Sequence, residues 1–497
     1  MPVRPLNREQ GWLLPYSLED LLPGDHPARF VGAFVEQLEP AVWLEMTVPL
    51  HGEARGAPAY DPRLLLSVWL YGFMTGVRSC RKLEVACREQ LPYIWLTGLQ
   101  TPDHNTLWRF YQAYRQPMRL LLKRTVKTAV RAGLIDLAVQ AVDGSKVWGS
   151  AAKGRTYTAA GLRRLLEKTA AAIADLEAQN QTAGDAVPVR LPAKLRQKQA
   201  LAARVRQALR RVQEDESREN LTDRDAVLLR GKDGFVAGYN VQAVVSPLSE
   251  KAGRSGQLIT AAMATQATDD HGQLLPMVEA AETNLGEQAT TTLADGGYHS
   301  GENLSRMAGR GQRVLMPEAQ AKALASRYHK DAFIYDAQSD SYTCPLGQTL
   351  HYSGQRKDRK GRVTRLYRAE PHACRTCPAF GQCTTDYRHG RALEVGPDDA
   401  SIRRHRDLMK TPEARAVYSR RKELIEPTFG IIKEQLNGRR LLLRGLENVD
   451  AEWVLLGVGF NLKVLARIWR SGLFPALIRA VASRARLHQM LHILQPF

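Results

Sequence analysis

The stretch Leu137-Ala-Val-Gln-Ala-Val-Asp143-Gly144 decides how this chain is interpreted, because an apolar, β-like run ends in a carboxylate followed by glycine. A second run, Thr291-Thr-Leu-Ala294, leads in the same way to Asp295 and two glycines. Glycine after a carboxylate predicts a turn that exposes the side chain at the edge of a sheet and leaves room for close approach. One such pair is usually only a turn, but two on separate strands predict a shared acidic site.

A third acidic motif, Glu423-Leu-Ile-Glu426-Pro-Thr-Phe-Gly, lies in a basic segment that is predicted to be helical from about 413 to 436. At about 100° per residue, Arg421 falls roughly 140° away from Glu426. Pro427 predicts a kink or a new helix start. The predicted face that includes the third carboxylate consists of Tyr418, Lys422, Glu426 and Lys433.

Three carboxylates at one sheet edge repel each other unless cations hold them together. Hard Mg²⁺ or Mn²⁺ prefers carboxylate oxygens to imidazole or thiolate. Two such ions about 4 Å apart activate one oxygen and stabilise the departing one in phosphodiester chemistry. Asp143, Asp295 and Glu426 are therefore the predicted catalytic residues and the predicted ligands of two ions.

The charge balance favours a polyanionic partner. The 497 residues include 70 Lys and Arg against 51 Asp and Glu, a net charge of +19. Such a surface attracts nucleic-acid phosphates, although a generically basic or ribosome-associated protein would show the same balance. Neither a signal peptide nor a run of 18 apolar residues is evident, and the six cysteines are unevenly placed. We expect a cytoplasmic protein without a membrane partner.

The pattern predicts an α/β fold, with a mixed sheet flanked by helices, an N-terminal all-helical domain and two insertions. The helical domain is compatible with a DNA-binding helix-turn-helix module, the alternative being a merely packed cluster of helices. The predicted units are the helical domain at 1–135, the catalytic core at 136–317 and 401–470, a helical hairpin insertion at 161–217, a cysteine-containing insertion at 318–400 and a C-terminal amphipathic helix at 471–497.

Four of the cysteines fall within 40 residues, at Cys344, Cys374, Cys377 and Cys383. One Cys-x-x-Cys pair with two further thiols is enough to bind a structural Zn²⁺ tetrahedrally. Reduced thiols without metal are the alternative, with His389 as a substitute ligand.

The three acidic motifs resemble those of DDE transposases of bacterial insertion sequences. In that family the third motif reads Tyr, two residues, Arg, three residues, Glu, six residues, Lys. Here Glu426 and Lys433 keep their spacing, while Tyr418 and Arg421 lie one place too far from Glu426 and Lys422 occupies the position of the arginine. Further similar segments are Tyr60-Asp-Pro62, Arg78-Ser-Cys-Arg81, Pro102-Asp-His-Asn-Thr106, Gly238-Tyr-Asn-Val-Gln242, Ala294-Asp-Gly-Gly-Tyr-His299 and Leu441-Leu-Leu-Arg-Gly-Leu-Glu447.

The resemblance implies an RNase H-like core that carries out DNA transposition and DNA recombination. Water positioned by Asp143 and Asp295 would cleave the end of the element, and the freed 3′-hydroxyl would attack target DNA. The implied partners are double-stranded terminal inverted repeats, target DNA and a second copy of the chain. Tyr418, Arg421, Lys422 and Lys433 would contact the DNA. The rival interpretations are a nuclease of the same fold that only hydrolyses DNA, and an inactive descendant that only binds it.

Overall fold

The computed structural model describes residues 17–49, 59–182, 190–215, 217–231, 234–318, 327–357 and 361–472. It has the predicted mixed α/β architecture, with a helical N-terminal region followed by a mixed sheet consistent with an RNase H-like core. The predicted C-terminal helix at 471–497 lies almost wholly outside the described residues.

The N-terminal region is helical because apolar runs alternate with capping residues. Asp61 accepts a hydrogen bond from the Arg63 amide at 2.8 Å, and Gly76 ends the helix with φ of 80°. Between these ends the helix is buried, and Trp69 stacks on Tyr111 at 4.2 Å. In chain order the helices are α1 (Pro27–Glu36), α2 (Pro40–Glu45), α3 (Pro62–Thr75), α4 (Cys80–Glu89), α5 (Leu91–Thr97), α6 (His104–Tyr114) and α7 (Leu120–Arg131).

The main sheet has antiparallel and parallel parts. Its strands and flanking helices are β1 (Val139–Trp148), β4 (Val227–Gly231), β5 (Gly234–Pro247), β6 (Gln257–Thr265), α10 (Leu274–Leu285), β7 (Thr291–Leu293), α11 (Gly301–Gly309) and β8 (Arg313–Leu315). The strand order is β4-β5-β1-β7-β8, and β6 also pairs with β5. Strand β1 is antiparallel to β5 and parallel to β7, so the sheet is mixed.

Strand β1 extends further than predicted, and the expected turn at Gly144 is wrong. Residues from Gly144 to Trp148 continue the ladder opposite Gln242 to Gly238 of β5. Glycine is needed there for space, since a Cβ atom on Gly144 would lie 2.5 Å from the Gln242 side chain. Asp143 therefore lies inside a strand rather than at its end.

A helical hairpin separates β1 from β4. It consists of β2 (Thr156–Tyr157), α8 (Ala159–Thr182), α9 (Arg190–Asp215) and β3 (Glu219–Asn220). The two helices pack around Leu162, Val205 and Val212, and β2 pairs with β3 at the base.

The cysteine-containing segment forms a sheet of its own, ordered β13-β12-β11-β10-β9. Its elements are β9 (Ile334–Asp336), β10 (Ser341–Thr343), β11 (Thr349–Lys357), β12 (Val363–Ala369), α12 (Pro371–Arg375) and β13 (Ala392–Val395). Its buried core is small and consists of Phe333, Tyr342, Leu350, Tyr367, Ala369, Cys374 and Leu393.

The chain then returns to the main sheet through α13 (Asp399–Lys410), α14 (Pro412–Glu434) and α15 (Leu446–Arg470). Of the two predicted effects of Pro427, a new helix start is wrong, because α14 runs through this residue as one helix. Its apolar side packs with the main core through residues such as Leu424, Ile425 and Ile432, and this burial compensates for the amide that proline lacks.

Helix α15 joins the N-terminal helices to the sheet. It packs against both α3 and β6. The Trp453 indole donates to the Gln242 carbonyl at 2.9 Å, and Asn461 bonds to Ile259 of β6. Buried Arg78, just before α4, forms an ion pair with Glu452 of α15. One continuous hydrophobic core therefore includes the helical region and one face of the sheet.

Candidate active site

Asp143 and Asp295 are brought together by the parallel pairing of β1 and β7. Ala141 pairs with Leu293, and each carboxylate follows its paired residue by two positions. Because side chains alternate along a strand, the two carboxylates lie on the same face. Asp295 also caps a short 3₁₀ turn, and its Oδ1 accepts a hydrogen bond from the Gly297 amide at 2.8 Å.

Asp143 lies in a partly dehydrated, acidic environment. Its side chain is 20% exposed, and its Oδ2 lies 2.9 Å from Arg421 Nη2. Burial raises the pKa of Asp143 to about 6, and the charges of Asp295 and Asp270 act in the same direction. Arg421 and the Gly144 amide oppose that increase. Burial is therefore the main reason that the ionised form of Asp143 is unfavourable, and carboxylates perturbed in this way are common at functional sites.

Asp270 is a third carboxylate at this site, and no motif in the sequence predicts it. Its Oδ1 accepts hydrogen bonds of 2.7 Å from the amides of both Asn240 and Gln242 on β5. Its Oδ2 lies 3.5 Å from Lys146 Nζ of β1. Asp269-Asp270-His271 has the pattern of a helix N-terminus, and only the tertiary structure shows that Asp270 points toward the sheet.

Two glycines allow these carboxylates to approach each other. A Cβ atom on Gly144 would lie 2.6 Å from Asp270 Oδ1. A Cβ atom on Gly297 would lie 2.9 Å from Asp295 Oδ1 and 3.4 Å from Asp270 Oδ2. Any larger residue at either position would intrude on the space between the acidic groups.

Helix α14 covers the site with a different face from the predicted one. Arg421, predicted to lie away from Glu426, points into the site and is only 11% exposed. Tyr418 is half-buried, and burial raises its pKa. Lys422 is exposed, whereas Lys433 Nζ donates to Ser145 Oγ on β1 at 2.7 Å.

Glu426 lies at the edge of this arrangement. It is exposed, and within the described residues it forms no hydrogen bond or ion pair. Along α14 it falls between Arg421 and Lys433, whose side chains reach Asp143 and Ser145. The structure therefore brings Asp143 and Asp295 together and leaves Glu426 at the surface beside them.

The four clustered cysteines line one cavity of about 20 Å³. All are free thiols. Burial raises the pKa of the Cys383 thiol, and the other three thiols act in the same direction. Backbone amides donate to three of the sulfurs, from Leu346 and Gln348 to Cys344, from Arg391 to Cys374 and from Ala379 to Cys377.

No three carboxylate, imidazole or thiol groups of the described residues stand close enough to hold a metal ion together. This holds for the carboxylates and for the cysteine cavity alike. His389 is exposed and its ring lies 3.2 Å from Asp386, so it is not directed at the thiols. Both metal sites remain predictions.

The fold is mixed α/β, with an N-terminal helical region, and is consistent with an RNase H-like core. Two family models match the chain, the transposase domain DUF772 at residues 16–113 and the transposase DDE domain at residues 343–466. In this order they fit a DDE transposase of the insertion-sequence type, an enzyme that acts on DNA.

The matched DDE region includes Glu426 and the four cysteines but neither Asp143 nor Asp295. No curated protein and no solved structure matches the chain. Transposases of the DDE family generally use divalent metal ions. Among the described helices, none is long and apolar enough to span a lipid bilayer.

Proposed function

We propose that this protein cleaves DNA at the ends of an insertion sequence and joins the freed strands to target DNA. The observation that carries the proposal is the half-buried, electrostatically coupled pair Asp143 and Asp295, positioned by adjacent parallel strands. Carboxylates are costly to bury together unless cations or protons neutralise them. The two transposase-family matches supply the substrate class.

The residues present fit divalent cations. The donor set is carboxylate, which Mg²⁺ and Mn²⁺ prefer, and the glycine positions keep the space between the acidic groups open. Asp143 and Asp295 would hold two ions, and the exposed Glu426 would join them only after moving toward the sheet. When bound, these ions would activate an oxygen nucleophile and stabilise the leaving oxygen of the phosphodiester.

The protein side chains position the substrate and adjust charge. Asp143, with a pKa of about 6, is largely ionised at neutral pH and can exchange Arg421 for a cation. Arg421 would then be free to contact the phosphate, because its planar guanidinium suits bidentate contacts. Lys433, held over Ser145, would contact the flanking phosphate. Tyr418 and Lys422 lie on the same helix, where they would contact the DNA beside the cleaved bond.

Cleavage followed by joining can be tested with labelled terminal-repeat DNA and a target duplex. We expect Mg²⁺- or Mn²⁺-dependent cleavage and strand-transfer products from the full chain. Asp143→Asn, Asp295→Asn and Glu426→Gln should each lower cleavage by about three orders of magnitude without loss of folding. Glu423→Gln is the matched control, since this exposed carboxylate lies on the same helix and should be dispensable.

Each alternative predicts a different product pattern. Hydrolysis without strand transfer would identify a nuclease. DNA binding without metal-dependent cleavage would identify an inactive descendant. Normal activity of any of the three variants would remove that residue from the proposed site. Synapsis of two element ends requires at least two active sites, so we also expect a dimer on paired ends.

A further inference from the structure

Basic side chains follow strand β1 as it leaves the carboxylate pair. Lys433 contacts Ser145, two residues beyond Asp143. Arg440 Nε then donates to the Gly149 carbonyl at 3.1 Å, and Arg444 Nε to the Ser150 carbonyl at 3.2 Å. Both arginines are exposed, and Arg440 Nη2 also donates to the Ala151 carbonyl at 3.4 Å, so their charge is presented from side chains that are already held in place.

The segment that carries these arginines is fastened to the strand. The Trp148 amide donates to the Arg439 carbonyl at 3.3 Å, and the Leu441 amide to the Trp148 carbonyl at 2.8 Å. Buried Arg78 supports the same segment by donating to the Arg440 carbonyl at 2.8 Å. The cations therefore have a fixed position relative to Asp143.

The helical hairpin begins where this row of cations ends. Asn220, at the end of the hairpin, donates to the Ala152 carbonyl and the Thr156 hydroxyl, both at 2.8 Å. Arg211 of α9 binds Glu219 with two hydrogen bonds of 2.8 and 2.6 Å. The base of the hairpin is thereby tied to the chain directly after β1.

Helix α9 presents positive charge with little to balance it. Its acidic residues come only at its end, Glu214 and Asp215. Lys194 and Lys198, like Arg206 and Arg210, are spaced i and i+4, where like charges destabilise a helix. None of its exposed basic side chains forms an ion pair within the described structure; they are Lys194, Arg196, Lys198, Arg204, Arg206 and Arg210.

We infer that α9 and the Arg440–Arg444 segment form one track for the backbone of duplex DNA that flanks the cleaved bond. A polyanion offsets the repulsion along α9. The helix has 26 residues, and at about 1.5 Å per residue it is roughly 39 Å long, about the length of 11 base pairs. The contacts are to phosphates and require no base sequence. The inference rests on the proposed function in one respect, since that function identifies the bound polyanion as DNA of the insertion sequence.

The test is the salt dependence of binding to a fluorescent duplex of an element end, measured by anisotropy with the full chain. The α9 variant combines Arg196→Gln, Arg206→Gln and Arg210→Gln. The control variant, with the same charge change, combines Arg254→Gln, Arg313→Gln and Arg327→Gln, which are exposed and lie on other parts of the surface. Thermal unfolding of both variants verifies that they fold.

We expect the α9 variant to bind 10- to 100-fold more weakly at low salt, and the slope of log K against log salt to become shallower by about 2 to 3, since each lost phosphate contact contributes about 0.9. Arg444→Gln alone should make the slope shallower by about 1. The control should keep both the affinity and the slope of the original protein. Equal losses in the two triple variants, or an unchanged slope in the α9 variant, would overturn the inference.

Failure here is distinct from failure of the proposed function. Suppose that the protein neither cleaves nor joins DNA, and that the slope of log K against log salt becomes shallower in the α9 variant but not in the control variant. The DNA track is then supported and the proposed catalytic function is contradicted. If cleavage depends on the carboxylates while the salt slope of the α9 variant is unchanged, the proposed function is supported and the DNA track is contradicted.

Discussion

The carboxylate site and the cysteine cavity are both predicted to hold metal, yet they are built in opposite ways. Of the acidic groups that meet there, Asp143 and Asp295 are predicted ligands and Asp270 is found only in the structure, while the third predicted ligand, Glu426, lies at the surface. The three that meet are distant in the chain and are supported by a large sheet with a full core. The cysteines lie between 344 and 383, in the connections and the short helix α12 of a sheet that has a small core of its own.

The electrostatics of the two places also differ. Burial and neighbouring carboxylates make the ionised form of Asp143 unfavourable, so the acidic site lowers the stability of the fold. At the cavity, backbone amides donate hydrogen bonds to three of the sulfurs, and burial raises the pKa of the Cys383 thiol. The carboxylate site thus depends on the large core of the main sheet to tolerate its unfavourable charges. A metal in the cysteine cavity would instead stabilise the small sheet, whose own core is limited.

The largest expected effect is at the cysteines. If zinc holds the small sheet together, the protein should contain one zinc ion per chain, and Cys374→Ser with Cys377→Ser should abolish it. We expect the free energy of unfolding of this sheet to fall by roughly 3–5 kcal/mol, as for loss of a structural crosslink in a small domain. Metal analysis and thermal unfolding measure both.

Cys80→Ser, on α4 and away from the cavity, is the control and should retain the zinc. Metal-free protein with an unchanged melting temperature in the double variant would leave reduced, packed thiols as the correct interpretation.

The second prediction concerns the cost of ionising Asp143. Its folded pKa of about 6 exceeds the unfolded value of about 3.9, so the unfolded chain releases its proton first and stability falls as pH rises from about 4 to 6. Asp143→Asn should therefore be more stable than the original protein by about 1–3 kcal/mol at pH 7.5 in chelator.

That gain should shrink as pH falls through 6 and disappear below about pH 4, where Asp143 becomes protonated in both states. Added Mg²⁺ should stabilise only the protein that retains Asp143. Denaturant unfolding at several pH values measures these differences, and a variant less stable than the original protein at pH 7.5 would contradict the raised pKa.

The smallest of the three effects is expected at Asp270. Asp270→Asn keeps the shape of the side chain and removes its charge, and should lower both metal affinity and cleavage 10- to 100-fold. Asp269→Asn is the matched control, because Asp269 is the neighbouring carboxylate and its side chain is 68% exposed. Calorimetric titration with Mn²⁺ provides the readout that is independent of activity. Equal behaviour of the two variants would limit Asp270 to holding Asn240 and Gln242.

The sequence is informative where local pattern and tertiary structure agree. Asp295 ends a short strand and caps a turn, as its glycines predict. At Gly144 the same pattern wrongly predicts a turn, because pairing with β5 continues β1 without a turn as far as Trp148. Asp270 has no strand motif before it, so nothing local distinguishes it from an ordinary helix cap.

Helix α14 shows a second limit. Angular spacing correctly separates Arg421 from Glu426, but the side that faces the sheet is decided by burial of Leu424, Ile425 and Thr428. Arg421 lies among them and reaches Asp143. Residue spacing gives the angles between side chains around a helix, whereas the face that turns toward the sheet depends on which apolar side chains are buried in the core.

Helix α15 has a consequence for dissecting this protein. Since its two sides pack on α3 and on β6, and Arg78 is buried against Glu452, removing the first 135 residues would leave a long apolar surface and an unpaired buried carboxylate. Neither half should then be obtainable as a well-behaved fragment. If the N-terminal helices moved on binding DNA, α15 would carry that movement to β6 of the sheet that supports Asp143 and Asp295.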